Sequence, residues 1–168
     1  MPRLPLLITA LSALTFATTA SAEVRFGLQG ARSSDFGTPF LSGGAHVSFT
    51  DTLPWTLLGS RTARTTLEAN VTGGPLGPNL LVDHALLWPQ ASGLYYGAGF
   101  GSGVALPGAE LAQNVPYPMV VLLTPGALVN VHGVVGVTFS GVSTEALVRW
   151  RPVSDGVTAG VRVSFPLK

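Results

Sequence analysis

The sequence predicts an all-β chain: an eight-stranded antiparallel up-and-down transmembrane β-barrel over residues 23–168, behind a cleaved leader at 1–22. Three observations lead there. Apolar and polar residues alternate with a period of two over eight segments, the mark of strands with two unlike faces. Between those segments the chain is punctuated by glycine and proline, 21 and 13 of its 168 residues. Charged residues make up only 10% of the chain, against about 25% in an ordinary soluble domain. That is too sparse a supply to coat a water-facing surface of this size.

The same composition closes other classes. Disorder needs low hydrophobicity and high net charge, whereas 46% of these residues are hydrophobic and the formal net charge is +1. Nine basic residues facing eight acidic ones leave no basic footprint for nucleic acid. An exported chain without cysteine must draw its stability from burial or from closed hydrogen bonding.

Residues 1–22 read as a secretory signal. Arg3 supplies the positive start, Leu4 to Ala17 the apolar run, and Ala20-Ser21-Ala22 the small-x-small cleavage pattern. That run is shorter than the roughly 20 residues a spanning helix needs, so an N-terminal anchor is disfavoured. A second apolar stretch, Met119 to Phe139, is also rejected as a spanning helix. It contains Pro125, Gly126, Gly133 and Gly136, and its polar residues Asn130, His132 and Thr138 share one parity, as in a strand.

Strands are expected at 24–30, 43–50, 63–71, 79–88, 94–104, 127–139, 142–151 and 157–165. One parity holds most of the large apolar residues, from Val24, Phe26 and Leu28 to Val161, Val163 and Phe165. The other parity carries every charge within these segments: Arg25, Arg64, Glu68, Asp83, Glu145, Arg149, Arg151 and Arg162, together with His46 and His132. Connections differ in length. Ser140-Gly141 and Pro89 to Gly93 are short turns, while 31–42 and 105–126 read as long loops rich in Ser, Gly and Pro. Short turns at one end and longer loops at the other suit an outer-membrane barrel. Residues 51–62, with Pro54 and Trp55, fit this scheme least well, being too long for a short turn.

Alternation alone leaves open which face is inside. A soluble lipocalin-like barrel would enclose the apolar face around a ligand; a transmembrane barrel would turn it to lipid. The charge count favours lipid, because eight strand charges over eight strands make a thin coat outside but can pair within a narrow lumen. The expected lumen network is therefore Arg25, His46, Arg64, Glu68, Asp83, His132, Glu145, Arg149, Arg151 and Arg162. The turn at Ser140-Gly141 sets Phe139 opposite Val142, hence His132 opposite Arg149 and Gly136 opposite Glu145. A four-residue connection at 152–155 sets Glu145 opposite Arg162, an ion pair across the lumen. With both termini at the short-turn end, Phe26, Phe49, Trp88, Tyr96, Phe139 and Phe165 collect there as an aromatic girdle, with Trp150 at the opposite rim.

Chemistry-bearing patterns are weak. Gly97, Gly99, Gly101 and Gly103 alternate on one strand and are expected to leave room for lumen side chains, since no helix pattern follows them. Asp83 and His84 are neighbours, so they point to opposite faces. Ser143, His132 and Glu145 share a hairpin and a parity, yet the register separates Ser143 from His132 by roughly 20 Å at about 3.4 Å per residue, too far for proton transfer. His46, His132, Asp83 and Glu68 share the lumen face without any metal-ligand spacing. No catalytic, cofactor or metal site is expected.

Segments such as Leu94-Tyr-Tyr-Gly-Ala-Gly-Phe-Gly and Val142-Ser-Thr-Glu-Ala-Leu-Val-Arg-Trp-Arg-Pro152, with the leader and the alternating strands, give a pattern over 23–168 that resembles the small eight-stranded outer-membrane β-barrels of the OmpA/OmpX-like type. One departure is that Phe165 is followed by Pro166-Leu167-Lys168, where such barrels often end on an aromatic residue. The resemblance implies an outer-membrane location and a role as anchor, adhesion or defence protein, small pore or, rarely, lipid-modifying enzyme. The expectation is a non-enzymatic monomer in outer-membrane lipid, touching a ligand or protein outside the cell through loops 31–42 and 105–126. The alternatives are a soluble barrel binding an apolar ligand and a lipid-modifying enzyme.

Overall fold

The computed structural model describes residues 23–74, 77–105, 126 and 128–167. The leader and most of the loop expected at 105–126 therefore lie outside the described residues. The strands are β1 (Glu23–Asp35), β2 (Thr38–Leu57), β3 (Ser60–Thr72), β4 (Asn79–Pro89), β5 (Leu94–Ala105), β6 (Asn130–Phe139), β7 (Val142–Arg151) and β8 (Gly156–Pro166). Each pairs antiparallel with its sequence neighbour, and β8 pairs with β1, closing an eight-stranded up-and-down barrel. Closure removes both sheet edges, so the ladder satisfies the wall's backbone groups without help from solvent.

The register is the one the turns dictate. Ser140-Gly141 sets Phe139 opposite Val142, and with it His132 opposite Arg149 and Gly136 opposite Glu145. The connection after Arg151 sets Glu145 opposite Arg162. Residues 130–139, the end of the long apolar stretch, are a strand.

Two connections differ from the expectation. Residues 31–42 are not a long loop: β1 and β2 run on to a two-residue turn, with Asp35 paired to Thr38. Phe36 and Gly37 both have positive φ, 49° and 78°, the backbone twist that a tight hairpin turn demands. Ser33, Ser34 and Pro39 looked like loop residues because the apolar alternation fades there. A hydrogen-bonded ladder persists without apolar side chains, however, and Ser33 Oγ lies 2.8 Å from Thr158 Oγ1 inside the barrel. Residues 51–62 likewise form strand and a tight turn at Leu58-Gly59, with a bulge between Thr52 and Leu57.

Lengthening the strands also qualifies the segregation of charge. Arg32, Asp51 and Arg61 share the parity of the apolar face, but Arg32 and Arg61 sit near strand ends and Asp51 beside Thr52, where regular β2–β3 pairing stops. Between Arg32 and the level of Asp51 the outer wall carries no charged residue and is mostly apolar or small, with Thr65 and His84 bonded to each other. Along β2 that run is Leu41 to Phe49, close to the roughly 9–11 tilted residues that cross a hydrocarbon layer.

Candidate functional site

The inward parity places opposite charges face to face across the lumen. Six of the expected residues form one central network. Arg162 reaches three carboxylates: Nη1 donates to Glu145 Oε1 at 3.1 Å, while Nη2 contacts Glu68 and lies 3.5 Å from Asp83 Oδ2. Arg149 Nη2 donates to Glu68 Oε1 at 2.8 Å and also pairs with Asp83. Arg64 Nη1 donates to Glu145 Oε2 at 2.6 Å. Three guanidinium groups thus meet three carboxylates, and their charges cancel. Glu68, Asp83, Glu145, Arg149 and Arg162 are each no more than 4% exposed.

Isolated charges at that depth would carry a large desolvation cost, which only good geometry and further hydrogen bonds offset. Neutral side chains provide those bonds. Gln29 Nε2 donates to Glu68 Oε2 at 2.9 Å, and its Oε1 accepts from Arg162 Nε at 2.9 Å. Asn130 Nδ2 donates to Asp83 Oδ1 at 3.3 Å, and the Tyr95 hydroxyl to Glu145 Oε2 at 3.0 Å. The network ties together side chains from β1, β3, β4, β5, β6, β7 and β8, cross-bracing the wall through its centre.

The other expected lumen residues are not among these six, and of them only His132 touches the network, through Asn130. Arg25 lies at the end holding the termini, where it bonds Glu23, Ser143 and the carbonyl of Gly141. Arg151 lies at the opposite end, paired with Asp35 at 3.0 Å. His46 Nε2 lies 2.8 Å from Ser164 Oγ, and His132 Nδ1 lies 3.1 Å from Asn130 Oδ1. Ser143 bonds Thr138 and Arg25, so Ser143, His132 and Glu145 have separate partners rather than a shared relay. His84 points outward, with Nδ1 3.0 Å from Thr65 Oγ1 and its ring against Phe100, away from the inward Asp83.

Several interior residues escape a search for polar side chains. Ala85, Leu87, Val134 and Leu147 form a small apolar cluster inside the barrel, with Tyr95 packed on it. Tyr95 is inward because its neighbour Tyr96 is outward. It lies opposite Gly136, and its ring occupies the space where a Cβ would stand. Parity was the signal that could have found both features. Asp35 and its bond from Ser154 Oγ, 3.0 Å, were hidden by reading 31–42 as a loop.

The alternating glycines of β5 have the spatial role their spacing implied. A Cβ on Gly97 would meet Leu87, one on Gly99 the ring of His132, one on Gly101 the carboxylate of Asp83, and one on Gly103 Leu81. Eight strands enclose only enough space for side chains to fill, so bare backbone on β5 makes room for bulk on β4 and β6. On either side of the central network a cavity remains: about 280 Å³ beside Arg25, Arg64 and Tyr95, and about 30 Å³ beside Asp35, Arg149 and Arg151.

The outer face is the inverse of the lumen. Val135, Val148, Val161 and Phe165 are between 47% and 57% exposed, and Phe139 is 79% exposed. The six expected girdle aromatics all face outward near the end that holds the termini. Phe26 pairs with Phe165 across β1 and β8, and Trp88 stacks on Tyr96 with ring centres 5.4 Å apart. Trp150 faces outward at the other end, 48% exposed. No protein-family model and no curated protein matches the chain.

Proposed function

We propose that this protein is a non-enzymatic transmembrane β-barrel of the small outer-membrane type, which resides in lipid as a monomer and acts as a structural or surface-contact element. The observation that supports this reading is the inversion of polarity: paired charges fill the lumen while large apolar side chains cover the outside. Soluble proteins bury such residues and expose their charges. A bilayer rewards the opposite arrangement, because it is apolar outside and leaves a closed lumen to hold polar groups.

The central network obstructs the lumen, so the function lies at the ends rather than in transport. Because 31–42 is a hairpin of strand, the contact role falls to the end opposite the termini, which holds the β1–β2, β3–β4 and β7–β8 connections and the strand ends at Ala105 and Asn130. A soluble lipocalin-like barrel would need an apolar cavity, whereas both described cavities mix apolar side chains such as Phe40, Leu81, Leu87 and Leu94 with arginines and hydroxyl groups. A lipid-modifying site would need a serine, a histidine and an acid in one relay, which the separate partners of Ser143 and His132 do not support.

Fractionation of expressing cells, followed by extraction and gel migration with and without heating, tests the proposal. The expected outcome is recovery only with detergent, sheet-rich circular dichroism, and a folded band that shifts on heating. Recovery in the soluble fraction without detergent would overturn it.

A further inference from the structure

The β2–β3 hairpin outruns the barrel wall. Pairing of β2 with β1 reaches Thr50, and regular pairing with β3 stops at Thr52–Thr62. Beyond that point four residues, 53–56, face Arg61 alone before Leu57 pairs with Ser60. The overhang is apolar at its tip: Trp55, Leu57 and Leu58 are 57%, 45% and 79% exposed. Exposed turns in water are ordinarily built from Gly, Pro, Asn, Asp and Ser.

Two bonds fix where this tip sits. Directly after the turn the hydroxyl of Ser60, buried on the lumen side, donates to the carbonyl of Leu87 at 2.5 Å. On the outside the indole of Trp88 donates from Nε1 to the carbonyl of Leu58 at 3.1 Å. Trp88 is an outward residue stacked on Tyr96. The tip is therefore held beside the outer wall at the level of the aromatic girdle, and the polar residues Asp51 and Arg61 stand at its base. That level is where the amphipathic ring of tryptophan is most stable, with its apolar body against acyl chains and its N–H among polar groups.

We propose that the β2–β3 tip is an interfacial foot: Trp55, Leu57 and Leu58 insert at the boundary between headgroups and acyl chains, in the leaflet on the side of the termini. The occupant is the phospholipid surface itself, and the foot extends the Trp88–Tyr96 patch sideways. This rests on the reading of the barrel as membrane-spanning.

The test uses the protein reconstituted in phosphatidylcholine vesicles carrying quenchers at shallow or deep acyl positions. The contribution of Trp55 is read as the difference between the protein and Trp55→Phe, and that of the wall as the difference between the protein and Trp150→Phe. The expected result is a blue-shifted Trp55 signal that loses more intensity to the shallow quencher than to the deep one or to aqueous iodide. If the Trp150 signal is quenched by lipid while Trp55 emits as in water and yields only to iodide, the foot is overturned and a protein partner becomes the better occupant. If neither tryptophan is quenched by labelled lipid, the membrane reading itself fails and the foot fails with it. Trp55 is an exposed tip residue, so Trp55→Phe leaves the wall and its network intact, which unchanged circular dichroism would verify.

Discussion

Adjacent residues on β7 live in different surroundings. Arg149 points inward, 3% exposed and paired with Glu68 and Asp83, while Val148 points outward and is 57% exposed. The same contrast holds on β8 between Arg162 and Val161. In each case the costly group is enclosed and the apolar one is left outside. The difference shows that the wall separates a largely polar interior from a largely apolar outer face.

The largest effect is expected from opening the interior. Among the described residues Arg162 alone contacts all three central carboxylates, so Arg162→Met leaves one buried negative charge without compensation, a loss of about 3–5 kcal/mol. Equilibrium unfolding in urea from vesicles would measure it. A change below about 1 kcal/mol would mean that water in the lumen, rather than the guanidinium, satisfies Glu68, Asp83 and Glu145.

Next in size is Val161→Arg, which places a charge at the middle of β8 on the outer face. In a bilayer the expected cost is about 2–4 kcal/mol, read as lost folding free energy in vesicles. An outer face in water would tolerate the substitution almost without change, so this variant tests the contrast between the two faces most directly.

The smallest effect is expected at Tyr95→Phe. It removes the hydroxyl donor to Glu145 but keeps the ring over Gly136, and the carboxylate retains Arg64 and Arg162. The expected loss is about 1 kcal/mol. An effect as large as that of Arg162→Met would show that the hydroxyl, and not the ion pairs alone, holds the network together.

The sequence carried much of this because alternation is a local property. From Asn130 to Pro166, where short turns fix the register, parity sufficed to predict Glu145 opposite Arg162 and His132 opposite Arg149. It failed where the apolar signal thinned. Ser33, Ser34 and Asp35 continue β1 although nothing in their composition marks a strand, because their ladder bonds come from partners on β2 and β8. In the hairpin beyond Thr52 the bulge breaks the period that a pattern would follow.

The sequence alone thus determined the number of strands, the two unlike faces and the cross-strand neighbours near tight turns. Each of these depends on side-chain period and turn length, which short segments encode. Only the tertiary structure decided that Arg64, Glu68, Asp83, Glu145, Arg149 and Arg162 meet in one balanced network, braced by Gln29, Asn130 and Tyr95. These side chains come from strands far apart in sequence, and they converge because closing eight tilted strands brings opposite walls within reach of one guanidinium.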